Sequence, residues 1–197
     1  MKIPGQFNKW LKTPDSTGKS VIIAALSSAF LLLVPLVAMQ FDSGVNWSLF
    51  DFAVAWILLF SAGFSYKLAV KKVSNNAHRF AVGSVVAISL FLVWSNLSVG
   101  LIGDGNNPVN MMCFGVLAIV VIGAVVTRFQ PRLMVYVLIA AALAQMLVAL
   151  TALLAGSSLL HGSSTLEILG VNGFLAMLWI GSALLFNYAG RKQTFTS

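Results

Sequence analysis

The sequence predicts an all-α integral membrane protein: a single bundle of six transmembrane helices with the N- and C-termini both in the cytoplasm. Three observations carry that expectation. The chain is 59% hydrophobic and 9% charged, with a mean hydropathy of +0.93. Soluble domains carry roughly 25% charged residues, so this little charge cannot cover a surface facing water. The apolar residues fall in six continuous runs, each close to the ~20 residues that cross a bilayer. A membrane barrel would alternate instead. The basic residues, finally, gather on one side of those runs.

Residues 1–20, MKIPGQFNKWLKTPDSTGKS, form a basic cytoplasmic tail. Phe7, Trp10 and Leu11 among its lysines suit the membrane interface. Thr17-Gly18-Lys19-Ser20 ends as a phosphate-binding loop does. Thr13, however, stands where that motif needs its first glycine, and no strand precedes it. Span 1 covers 21–41. It exceeds the ~7–15 apolar residues of a signal peptide, and no small-x-small cleavage site follows, so it reads as an anchor.

Asp42-Ser43-Gly44 turns the chain into span 2, residues 49–70, and Ser74-Asn75-Asn76 into span 3, residues 79–102. Asp104-Gly105-Asn106-Asn107-Pro108 leads to span 4, 109–127, and Gln130-Pro131 to span 5, 133–155. Gly156-Ser157-Ser158 opens the loop before span 6, 166–189; residues 191–197 form a cytoplasmic tail. Gly, Asn and Pro belong at these places for backbone reasons.

All 12 basic residues lie on one side of this map: Lys2, Lys9, Lys12 and Lys19, then Lys67, Lys71, Lys72 and Arg79, then Arg128 and Arg132, then Arg191 and Lys192. The opposite loops hold Asp42, Asp51, Asp104 and Glu167, without Lys or Arg. Loop Lys and Arg set orientation, so the basic side is the cytoplasmic one. The same asymmetry explains the net charge of +7 without nucleic acid; the bilayer is the partner it implies.

Candidate functional residues concentrate in the outer half. Asn96 lies 17 residues after Arg79, about 25 Å along a helix. Gln145 lies 13 residues after Arg132, about 20 Å by the same rise. Asn172 is five residues into span 6 from Glu167, and Asp51 and Asn110 begin spans 2 and 4. Intramembrane polar groups mark solute pathways, or they join helices through bonds of roughly 0.6 kcal/mol each; neutral amides suit the second role well. Trp47, Trp56, Trp94 and Trp179 read as interfacial anchors of the outer half, with Trp47 and Trp94 at the mouth of any cavity.

Other motifs carry less. Asn107-Pro108-Val109-Asn110 is similar to the Asn-Pro-Ala box of aquaporins, but stands alone in a loop between complete spans. Pro108 opening span 4, capped by Asn106 or Asn107, accounts for it. Asn46-Trp47-Ser48 and Asn96-Leu97-Ser98 match a glycosylation sequon at the membrane edge, a short and common pattern. His161, Asp104, Asp51 and Glu167 are too scattered for a metal site, and no cofactor is expected. No nucleophile–base pair is legible within the spans. Small residues four apart, Ala25/Ala29, Ser61/Ser65, Gly83/Ala87 and Ala140/Ala144, predict close helix contacts.

The stretches VNWSLFDF (45–52), WSNLSVGLIGDGNNPVN (94–110) and TRFQPRLM (127–134) carry a resemblance to a family of small six-span bacterial inner-membrane proteins. It covers roughly residues 45–155. It implies bacterial origin and location in the inner (plasma) membrane, and brings no activity with it. In size and topology the chain is also similar to the six-span substrate-binding components of vitamin transporters, a likeness of shape alone.

These readings converge on a non-enzymatic membrane protein that binds or passes a small solute or ion through an outward-facing polar cavity. Asn96, Gln145, Asn172, Asp51 and Asn110 would line it, with Trp47 and Trp94 at its mouth. The alternative is an accessory or scaffold subunit that packs against a partner membrane protein or a second copy of itself.

Overall fold

The structure, a computed structural model, describes residues 16–41, 46–71, 73, 75–98, 100–102, 108–154 and 164–194. Among them there is no strand. The helices are α1 (Ser16–Leu31), α2 (Leu33–Ala38), α3 (Leu49–Val70), α4 (Asn76–Ser98), α5 (Met112–Thr127), α6 (Pro131–Leu154) and α7 (Thr165–Thr194). Six segments are long and apolar enough to cross a membrane: Val21–Phe41, Leu49–Val70, Asn76–Ser98, Pro108–Thr127, Pro131–Leu154 and Thr165–Lys192. This is a multi-pass helical membrane protein.

The expected boundaries shift in three places. Span 1 divides into α1, α2 and a 3-10 turn, Met39–Phe41. Pro35 explains the break: it has no N–H, and its ring crowds the carbonyl four residues back, that of Leu31. Helix α1 already includes Thr17-Gly18-Lys19-Ser20, so these residues form no loop around a phosphate. Helix α4 ends at Ser98 rather than at 102, and Gly100 turns the chain with a φ of 77°.

The chain divides into two compact units, Met1–Leu68 and Ala69–Ser197. In the first, Gly63 lets α3 approach α1: a Cβ there would stand 3.7 Å from that of Ala24. Ser48 and Asp51 form a reciprocal cap at the start of α3. The Ser48 N–H and hydroxyl both donate to Asp51 Oδ2 at 2.7 Å, and the Asp51 N–H donates to Ser48 Oγ at 3.3 Å, satisfying donors that a helix start leaves bare. Trp47 meets Phe52 edge-on at 5.3 Å.

The second unit is a ring of four helices in which α7 packs between α4 and α6, and α5 closes the ring against both α6 and α4. Each buries one stripe at three- and four-residue spacing: Ala81, Val85, Ile88, Leu92 and Asn96 on α4, and Met134, Leu138, Ala141, Gln145 and Val148 on α6. Trp179 and Phe186 are the largest side chains sealed inside. The outward faces, with Phe80, Val126, Leu143 and Met177, stay apolar and exposed, as lipid contact requires. Helix α5 approaches α6 closely at Gly123. An added Cβ would collide with the Cγ1 atom of Val137 and stand 2.8 Å from its Cγ2. Of the expected small-residue pairs in this unit, Gly83 and Ala144 are half-buried while Ala87 and Ala140 are exposed.

Candidate functional site

Buried polar side chains of the four-helix unit fall into five groups along its length. At the end opposite its arginines, Asn110 sits in the 3-10 turn Pro108–Met111 that leads into α5. Its Oδ1 accepts the N–H groups of Leu101 (3.0 Å) and Ile102 (2.9 Å), and its Nδ2 donates to the Ile102 carbonyl at 3.1 Å. Asn96 Nδ2 in turn donates to the Asn110 carbonyl at 2.9 Å. Leu101 and Ile102 are buried, so one side chain pins a segment that folds back into the bundle past Gly100. Buried amide nitrogen also removes Asn96 as a glycosylation acceptor in this fold. Asn106 and Asn107, the expected caps, lie outside the described residues, as do Asp42, Asp104 and His161.

About 10 Å into α7 by helical rise, Asn172 meets Gln145. Gln145 Nε2 donates to Asn172 Oδ1 at 2.7 Å, and Asn172 Nδ2 donates to the Ile168 carbonyl at 2.9 Å. Both residues are 0% exposed, yet Gln145 Oε1 has no hydrogen-bond partner. The Cys113 thiol of α5 lies against the Gln145 amide.

Two further groups continue toward the arginine-bearing end. Trp179, seven residues beyond Asn172 on the same stripe, is sealed inside with its Nε1 donor unpartnered. It was expected as an interfacial anchor; the core of the unit holds it instead. Next, the Ser84 and Ser182 hydroxyls stand 2.6 Å apart between α4 and α7. Ser84 donates to the Ala81 carbonyl at 2.8 Å, so the shared proton is that of Ser182.

At the arginine-bearing end, His78 Nε2 lies 2.9 Å from the Phe129 carbonyl oxygen. A carbonyl only accepts, so Nε2 carries the proton and Nδ1 is left buried without a partner. This contact holds the short α5–α6 turn, where Arg128 (φ 51°) and Phe129 (φ 58°) are both left-handed. Glycine or asparagine is the usual choice there, and each such residue costs about 1–2 kcal/mol. The Arg128 N–H to the Val125 carbonyl and the Phe129 N–H to the Ala124 carbonyl help to offset that.

The structure thus joins Asn96 to Asn110 and Gln145 to Asn172, and leaves Trp94 half-buried on α4. Asp51 and Trp47 belong to the first unit, where the Asp51 carboxylate is engaged in its helix cap. His78, Ser84, Ser182 and Cys113 are not among the candidate residues that the sequence suggests. Their signal was available, since each is a polar or ionisable residue on a stripe otherwise built of Ala, Val and Leu. Among the described residues no group of three or more His, Cys, Asp or Glu could hold a metal ion. Comparison of the chain with protein-family models, with curated proteins and with solved structures returned no match.

Proposed function

We propose that the chain is a non-enzymatic protein of a bacterial plasma membrane that binds or passes a small polar solute along the interior of its four-helix unit. The observation that supports this is the column of buried polar groups from Asn110 to His78, which includes atoms with no protein partner. Gln145 Oε1, Trp179 Nε1 and His78 Nδ1 are such atoms. Leaving one buried group unpaired costs about 1–3 kcal/mol, and hydrocarbon offers no water to relieve it. A small solute or a water bearing both donors and acceptors meets all three needs. Asn172 and Gln145 form the entry step, Trp179 and the serine pair the middle. Both termini lie in the cytoplasm in this reading, with the amide end facing outward. A periplasmic reporter enzyme fused after Lys72 or after Ser197 then stays inactive.

The decisive measurement uses proteoliposomes given osmotic steps of glycerol, of urea and of potassium chloride. The protein should speed vesicle relaxation for at least one of these over empty vesicles. The double variant Gln145→Leu, Asn172→Leu should abolish that gain while remaining folded. Relaxation equal to that of empty vesicles, or a gain that survives the double variant, would sink the reading. A second reading, an accessory subunit for a partner membrane protein or a second copy, draws on the exposed small residues Ala87 and Ala140, which suit close helix contact. Mild extraction that yields only a lone monomer counts against it.

A further inference from the structure

The arginine-bearing end of the four-helix unit carries a second feature, separate from the polar column. A small open recess of about 80 Å³ is lined by Arg132 on α6 and by Phe186, Asn187, Gly190 and Arg191 on α7. Gly190 leaves one side of it open beside the start of α6, because a Cβ there would stand 3.4 Å from that of Pro131 and 3.9 Å from Arg132 Cγ. Phe186 is fully buried and forms an apolar floor, braced by the His78 ring edge-on at 5.6 Å.

Two guanidinium groups therefore face one small space, and among the described residues no carboxylate of their unit is placed against them, the C-terminal end of α7 giving Arg191 only a partial counter-charge. From Ala69 onward the only carboxylate side chains are Asp104 and Glu167. Glu167 is 24 residues from Arg191 along the same helix, about 36 Å away, and its carboxylate is already taken up by the Ser164 N–H at 3.4 Å. Arg132 is the second residue of α6, so the positive end of that helix dipole adds to the same place. The recess is therefore suited to an anion from outside this unit.

We propose that this recess binds a phosphate group, held by Arg132 and Arg191 as charge partners and by the Asn187 amide as a neutral donor. Arginine's planar fork matches phosphate oxygens in pairs. The phosphodiester of an anionic phospholipid is the source that its position implies. The recess lies where α6 begins and α7 ends, at headgroup level. Leu133, Tyr136, Leu185 and Tyr188 are exposed beside it, an apolar flank for acyl chains. Basic pockets between transmembrane helices recognise anionic headgroups in this way.

Native mass spectrometry of the full chain in a neutral detergent tests this, with phosphatidylglycerol and phosphatidylcholine offered in equal amounts. The protein should retain phosphatidylglycerol preferentially. Arg132→Gln with Arg191→Gln should lower that preference by about an order of magnitude or more, leaving the melting temperature in detergent unchanged. Gly190→Val, which fills the recess and leaves every charge in place, should lower it as well. Arg128→Gln removes a nearby charge outside the recess and should leave it intact. A second arm adds inorganic phosphate: displacement of the lipid, or phosphate bound in its stead with the same arginine dependence, supports the phosphate site and identifies the soluble anion as a source. Equal losses with Arg128→Gln would mean diffuse charge and overturn the proposal. So would a preference that survives both the arginine pair and Gly190→Val.

Discussion

Asn110 and Gln145 are amides of the same four-helix unit, both buried, and the fold treats them differently. Among the described residues, Asn110 gives its oxygen to the N–H groups of both Leu101 and Ile102 and its nitrogen to the Ile102 carbonyl. Gln145 donates to one side chain, Asn172, has the Cys113 thiol against its amide, and leaves its oxygen without a geometric partner. The first closes a backbone account that a membrane protein must close, because a loop returning into the bundle leaves N–H groups that no helix partner can reach. The second closes nothing essential. An amide that completes the backbone is structure; an amide that keeps an open valence is where a ligand is to be sought.

The largest effect should fall on Asn110. In Asn110→Leu, the N–H groups of Leu101 and Ile102 lose their acceptor inside the protein. At about 1–3 kcal/mol for each buried group left unpaired, the loss should reach about 3–5 kcal/mol. Unfolding in mixed micelles measures it. A change below that of any substitution at Gln145 would erase the contrast.

Next comes a purely steric standard. Gly123→Ala forces a methyl group against the branched side chain of Val137, and overpacking of this kind costs about 1–3 kcal/mol. Val137→Ala in the same chain should restore most of it. A double-mutant cycle with no coupling would show that α5 and α6 do not meet there, and would loosen the argument that places Cys113 beside Gln145. Somewhat smaller should be His78→Phe, which keeps an aromatic ring against Phe186 but removes the bond to the Phe129 carbonyl. The expected loss is about 1–2 kcal/mol, with faster amide exchange at Arg128 and Phe129. Unchanged exchange there would mean that the left-handed turn holds itself.

How much of this was legible follows from the solvent. The six spans and the gathering of charge at one end of the four-helix unit were readable, because lipid demands continuous apolar length and penalises charge within it. Which face of each helix turns inward was not readable from hydropathy, since Leu and Val serve the lipid side and the core alike. The polar residues carry that information: Asn96, Gln145, Asn172, Ser182 and His78 all lie on buried stripes. Small residues misled, because Ala140 and Ala87 face outward while a close contact of α5 with α6 uses Gly123. The hub role of Asn110 was hidden for another reason. It depends on Gly100 turning the chain back, a tertiary event with no periodic signature. The bend at Pro35 rests on the residue itself, although span 1 is expected as one unbroken run from its hydropathy.

The smallest stability effect should carry the largest functional one. Gln145→Leu removes a hydrogen bond of roughly 0.6 kcal/mol and at the same time a buried carbonyl oxygen with no donor, which is itself unfavourable. The two terms oppose each other, so the variant should unfold within about 1 kcal/mol of the parent. Asn172→Leu should lose slightly more, because it strands the Gln145 Nε2 donor as well. The cycle through both substitutions should return a coupling near that single bond. A stability loss at Gln145 as large as that at Asn110 would make this amide another structural tie, satisfied by something the side-chain contacts do not supply. Near-neutral stability together with lost solute flux is the outcome that separates the two amides. It would place the open valence of Gln145 on the path of the solute, because no packing defect would remain to explain the loss.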